Sequence, residues 1–123
     1  MELAEQTRRI AIGGGRDPVL ALCLERLRDA RAACEVALQH CIDRGADHAD
    51  PYTLRLLMDG IDVTGTASQF LLRDSEFSPI AGSFCSEVLE SVAHECDDFG
   101  EDPVLMACAE ACRRCIEALH EHA

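Results

Sequence analysis

Apolar residues recur along this chain at alternating spacings of three and four. Leu20, Cys23, Leu27, Ala30, Cys34, Ala37 and Cys41 form one series, and Leu105, Cys108, Cys112, Cys115 and Leu119 form another. Between them run Leu54, Leu57, Ile61, Thr64, Ser68 and Leu71, then Ala81, Cys85, Val88, Val92, Cys96 and Phe99. With 3.6 residues to a turn, each series draws one stripe along a helix. The helix starts are marked too. Asp17-Pro18, Asp50-Pro51, Ser78-Pro79 and Asp102-Pro103 each place a side-chain acceptor at an N-cap and a proline at the first helical position, where its missing N–H had no helical partner. Breakers or polar turns precede them at 13–15, 45–47, 73–76 and 99–101. The pattern predicts helices over about 18–44, 51–73, 79–99 and 103–121.

Connections this short make successive helices antiparallel neighbours. The expected fold is all-α: an up-down-up-down antiparallel four-helix bundle over residues 17–123, with residues 1–16 as a short N-terminal extension. Leu3, Ile10 and Ile12 allow that extension one amphipathic turn. Gly60 and Gly65, inside the second helix, mark a close approach to a neighbouring helix or subunit, or a local kink.

Composition narrows the function. Hydrophobic residues make up 48% of the 123, which excludes a wholly disordered chain, but aromatics are only 4%, so short aliphatic and cysteine side chains must fill the core. A net charge of −12 argues against nucleic acid and against an anionic membrane surface. No 18-residue apolar run exists to span a membrane, and the N-terminus lacks a signal-like apolar stretch. The expected compartment is the cytoplasm, where thiols stay reduced. The Gly13-Gly14-Gly15 run lacks the Lys-Ser/Thr of a phosphate loop, and no nucleophile–base arrangement supports an enzyme.

The eight cysteines all fall on the apolar stripes, and the second helix has none. Counting outward from the loops groups Cys41, Cys96 and Cys108 at one end, and sets Cys34 level with Cys85, Cys112 and Cys115. Cys23 is left alone near the other end. Thiolates three or four apart on a helix are close enough to share a metal ion, and soft sulfur selects Cu(I) or zinc. Cu(I) accepts two or three sulfurs, so stacked sites along a seam suit it; one zinc fits a tetrahedron of Cys34, Cys85, Cys112 and Cys115. The alternative is a metal-free structural or protein-interaction bundle, since free cysteine packs as a small hydrophobe. His40, His48 and His94 approach the end that carries Cys41, Cys96 and Cys108, with His94 the best placed as a ligand. Met58 and Met106 are expected on core faces, as gap-fillers or thioether ligands. Glu87, Glu90 and Glu95 read as a solvated face.

The stretch Cys108-Ala-Glu-Ala-Cys112-Arg-Arg-Cys115, after the capped turn Cys96-Asp-Asp-Phe-Gly-Glu-Asp-Pro103, resembles the cysteine-rich four-helix-bundle copper storage proteins. The resemblance runs from about residue 17 to 121 and implies a cytosolic, tetrameric bundle holding Cu(I) inside by thiolates, with His or Met near an open mouth. That family crowds cysteines into all four helices. Here Leu20, Leu27, Leu54, Leu57, Ile61, Val88, Leu89, Val92, Leu105 and Leu119 occupy comparable positions. The expectation is therefore a low-capacity Cu(I)-binding homo-oligomer, with Cys34, Cys41, Cys85, Cys96, Cys108, Cys112, Cys115 and His94 as ligands.

Overall fold

A computed structural model describes residues 17–123; the expected N-terminal extension lies outside the described residues. Four helices follow one another: α1 (Pro18–Arg44), α2 (Pro51–Leu72), α3 (Ser78–Asp97) and α4 (Pro103–His122), with a 3-10 turn at Ala46–Ala49. Each packs on its two neighbours in the cycle α1–α2–α3–α4, which is the antiparallel bundle read from the sequence. No strand occurs among the described residues.

Three of the four starts form as the dipeptides predict. Asp17 accepts from the Val19 and Leu20 N–H groups at 3.0 and 3.3 Å, Asp50 from Tyr52 at 3.1 Å, and Asp102 from Val104 and Leu105 at 3.0 and 3.2 Å. The third start is a correction. α3 begins at Ser78 itself, so Pro79 takes the second helical position and Phe77 the cap position without a side-chain bond. The Ser78 hydroxyl instead donates to the Phe70 carbonyl of α2 at 3.1 Å, and Ser75 Oγ accepts from the Phe77 N–H at 3.1 Å. The turn is tight enough to bring α3 onto the end of α2, where the Phe70 carbonyl also accepts from the Ser75 N–H at 3.0 Å. α3 also stops at Asp97 rather than 99, since Gly100 at φ +68° turns the chain and Phe99 packs on the His48 ring.

The stripes on α1 and α4 are buried as expected, apart from the half-buried Leu20, but α2 is rotated. Its buried residues are Thr53, Leu57, Gly60, Val63, Thr64, Ala67 and Leu71, while Leu54, Ile61 and Ser68 are only half-buried. Small residues thus face the core, which lets the helices come close. Thr64 sits in the core without penalty because its hydroxyl donates back to the Gly60 and Ile61 carbonyls at 2.8 and 3.0 Å. On α3, Leu89 and Ser86 are buried and Val88 and Ala81 only partly so, as is Phe99 in the turn beyond it. Met58 and Met106 point outward, about half exposed, so neither fills the core nor reaches the thiols.

The two glycines of α2 have different causes. A Cβ on Gly60 would lie 2.9 Å from Cys34 Sγ and 3.3 Å from Val92 Cγ2, so it is the contact of α2 with α1 and α3 within this chain. A Cβ on Gly65 would meet only the tip of Arg31, at 2.8 Å, and that flexible side chain can swing away. The two alanine substitutions are expected to have opposite signs in urea denaturation. Gly60→Ala should cost about 1–3 kcal/mol through overpacking, despite the better helix propensity of alanine. Gly65→Ala should gain up to about 1 kcal/mol.

Candidate metal centre

All eight cysteines are free and buried. α1 places Cys23, Cys34 and Cys41 on the inner stripe, α3 Cys85 and Cys96, and α4 Cys108, Cys112 and Cys115. α2 supplies no sulfur, but Gly60 leaves the space into which Cys34 Sγ projects. The tightest group is Cys34, Cys108 and Cys112, whose sulfurs lie within 4.8 Å of one another. Cys108 donates its S–H to Cys34 Sγ at 3.9 Å. Three sulfurs this close converge on one soft cation after small side-chain adjustments, a metal–thiolate bond being about 2.3 Å.

The two layers counted from the loops run into one another at Cys108. It lies beside Cys41 and Cys96 as expected, but its sulfur also reaches Cys34, and Cys112 shares that contact. The rise of 1.5 Å per residue sets Cys108 and Cys112 about 6 Å apart along α4, so a thiol of α1 at intermediate height meets both. Cys96 also neighbours Cys108 and Cys115 neighbours Cys85, which acts in turn on Cys23. The sulfurs form one run through the bundle, not two layers and an isolated thiol. The proposed zinc tetrahedron is divided by the same geometry, with Cys34 and Cys112 gathered on Cys108 and Cys115 on Cys85.

Protonation follows these contacts. S–H donation from Cys108 and Cys112 holds the Cys34 thiol well below its ordinary value, although burial and the neighbouring Cys96 and Cys85 oppose this. Cys112 is pushed up by its contacts with Cys108 and Cys34 and by burial, and Cys96 by Cys108 and burial. Cys115 is pushed up by Cys85 and burial. Burial raises Cys23 to about 11, and raises Cys41 to about 11 with help from the charges of Cys96 and Asp102. Within the triad, Cys34 therefore gives up its proton more readily than Cys112, which keeps its own until a cation replaces it.

At the end of the bundle where α1 stops and α4 starts, His40 and His48 converge on Asp102. Their Nε2 atoms lie 2.8 and 2.9 Å from the same Oδ2. His94 is not part of this group: it is exposed on α3, over a shallow depression lined by Glu90 and Arg113. It stands two positions before Cys96, so a helix points the two side chains to nearly opposite sides. Glu95, expected in solvent, is half-buried and accepts from the Thr53 hydroxyl at 2.5 Å, beside Cys41 and Cys96. Asp102 is the residue that sequence reasoning missed, having used it only as a cap. The available signal was a capping carboxylate in a loop that faces two histidines, since a cap needs one oxygen and leaves the other free.

Burial alone would raise the Asp102 carboxyl, but His40, His48 and the Leu105 N–H together hold it well below the usual carboxylate range. A carboxylate depressed in the fold stabilises the protein above its unfolded pKa of about 3.9 and loses that contribution as pH falls further. Asp102→Ala should cost at least about 1–2 kcal/mol at neutral pH through the lost cap alone. Asp102→Asn, which keeps a capping oxygen, should cost less, and its deficit against wild type should shrink between pH 5 and pH 3 in urea midpoints.

The sequence profile of the family described as "Copper storage protein" matches residues 18–123. No curated protein matches significantly. Among solved structures, the chain is similar to the Nmul_A1745 protein of Nitrosospira multiformis, with 27% identity and a TM-score of 0.78 over 85% of this chain and 94% of that one. It shares its fold with the Cu(I)-bound copper storage protein BsCsp3, at 24% identity and a TM-score of 0.77 over 84% of this chain and 96% of that one. A cytosolic copper storage protein from Streptomyces lividans, with five coppers, matches at 24% identity and a TM-score of 0.74 over 85% of this chain and 91% of its own. Matched over its whole described bundle, the chain belongs to the copper storage protein family.

Proposed function

We propose that this chain sequesters a small number of Cu(I) ions inside its bundle, in the cytoplasm, by passive binding and without catalysis. The observation that carries this reading is the Cys34–Cys108–Cys112 triad, three buried sulfurs at a spacing that fits one soft cation. Cys41 and Cys96 extend the run toward the mouth, and Cys85, Cys115 and Cys23 extend it inward. Low capacity follows from the thiol-free α2 and from the aliphatic Leu27, Leu57, Leu89, Leu105 and Val92, which fill the rest of the core. The cytoplasmic assignment rests on the reduced thiols it requires and on the cytosolic description of the Streptomyces lividans neighbour. His94 has no part in it.

The test is anaerobic titration of the reduced protein with Cu(I) against a coloured competing chelator. More than one ion per chain should be held, and thermal stability should rise with loading. Cys108→Ala/Cys112→Ala should lose most of the tightly held copper, while the apo-protein loses only about 1–3 kcal/mol to the voids. Failure of the wild type to hold copper against the chelator overturns the reading and leaves the metal-free interaction bundle.

The same reading includes self-association, with a tetramer as the family resemblance implies. Phe77, Ile80 and Phe84 are more than half exposed and flank Phe70 in an apolar hollow between α2 and α3. Such rings are unusual on an otherwise acidic surface and suit contact with another copy. Sedimentation should give a mass above one chain, and Phe84→Glu should reduce it. A monomeric wild type contradicts this part of the proposal alone.

A further inference from the structure

The thiol run accounts for the cysteines but not for the group at its mouth. His40 lies in the last turns of α1, His48 in the 3-10 turn and Asp102 at the start of α4, so three separate segments meet at one oxygen. An ionised carboxylate oxygen only accepts, so both imidazoles carry a hydrogen on Nε2 in this arrangement. Two donors thus occupy the place that one cation takes when both nitrogens present lone pairs instead.

We infer that His40, His48 and Asp102 form a second metal site, of two imidazole nitrogens and one carboxylate oxygen, which takes a divalent cation such as Zn(II) and clamps the α1–α2 and α3–α4 connections together across the mouth. The donor set differs in kind from the core. Sulfur selects Cu(I), whereas imidazole with carboxylate suits borderline and harder divalent ions.

The dimensions fit. Metal–nitrogen and metal–oxygen bonds of about 2.0–2.2 Å in a tetrahedron set ligand atoms about 3.3 Å apart. The two N···O separations of 2.8 and 2.9 Å need only open by a few tenths of an ångström, and all three ligand atoms already lie within 4.8 Å of one another. The rings stand edge to face, at 79° with centroids 5.8 Å apart, so the nitrogens approach the oxygen from different directions. Their carboxylate is fixed in advance, because its other oxygen is held by the Val104 and Leu105 N–H groups. Phe99 packs against the His48 ring at 4.5 Å. Side-chain exposures of 21%, 18% and 9% for His40, His48 and Asp102 leave water access for a fourth ligand. On binding, each Nε2 hydrogen moves to Nδ1 or leaves to solvent, according to the charge of the ring. The clamp sits beside Cys41, whose thiol feels the Asp102 charge, so an occupied site closes this end of the thiol run.

This inference goes beyond the copper reading and does not depend on it. Co(II), which reports its ligands by colour, is titrated into the reduced full-length protein under dialysis against a weak chelator. Wild type should retain one equivalent that shows ligand-field bands without the sulfur-to-cobalt charge transfer. That equivalent should be lost in His40→Ala/His48→Ala and kept in Cys108→Ala/Cys112→Ala. Zn(II) should displace it. Retention of cobalt solely with a charge-transfer band, unchanged in the histidine variant, overturns the proposal, as does no retention at all. If the histidine variant fails to fold, proton NMR of the wild type decides. One equivalent of Zn(II) should shift the imidazole signals of His40 and His48 while leaving His94, His120 and His122 in place, and uniform or absent shifts overturn the proposal. Loss of Cu(I) binding in the copper titration leaves these outcomes untouched.

Discussion

The approach of α1 to α2 at Gly60 determines where the sulfur of Cys34 can go, and the rest of the interior is arranged around that sulfur. With aromatics at 4% of the chain, the helices cannot be held apart by rings. They close onto Ala30, Ala37, Ala67 and Gly60, and short side chains must then do the packing. Cysteine is the short residue that adds a chemical capacity to this role. Drawn inward past Gly60, Cys34 Sγ comes within reach of two thiols one turn apart on α4. A bulkier residue at position 60 would push α1 outward and open the triad before any metal arrived.

The interior must also hold together without metal, and its composition shows how. Fully buried Leu27, Leu57, Leu89, Leu105 and Val92 alternate with the sulfurs, so the apo-protein has an aliphatic framework of its own. This differs from domains whose folding energy is largely metal binding. A preformed thiol run binds without first ordering its ligands, while burial keeps most of its protons on until a cation displaces them. Within the triad, Cys34 is the exception because two neighbouring S–H groups solvate its charge where water cannot. Capacity and apo-stability therefore compete for the same positions: each leucine on a stripe adds framework where a cysteine would have added a ligand.

Most of the fold was legible because its signals are local. Asp-Pro at positions 17–18, 50–51 and 102–103 states a helix start in two residues, and the three-four spacing on α1 and α4 fixes which face is buried. Ser78-Pro79 misled because a serine can cap its own helix or satisfy the preceding one, and the local sequence is the same in both cases. The α2 stripe was misplaced by one position because hydropathy favours Leu54 and Ile61 over Thr53 and Gly60, whereas close packing favours the small residues. At the metal centre, the chain showed which residues were inside but not their heights. Cys108 stands where it touches Cys96 as well as Cys34, and a height of that kind is set by how the loops seat rather than by spacing along one helix.

Asp102 joins these levels. One oxygen completes the first turn of α4 and so fixes the height of Cys108 and Cys112, while the other gathers His40 and His48 from the opposite connection. The carboxylate thus sets the register of two thiol ligands and the shape of the mouth above them. Soft donors lie inside, sealed by alanine and leucine; harder donors lie at the rim, where the imidazole edges reach water. That segregation follows from physical chemistry, since thiols tolerate burial as neutral groups whereas a carboxylate needs partners and imidazoles need access to protons. In the proposed two-site arrangement, a cation arriving at this end meets the rim before the sulfurs, and the donors there would discriminate by charge and hardness before the core does so by softness.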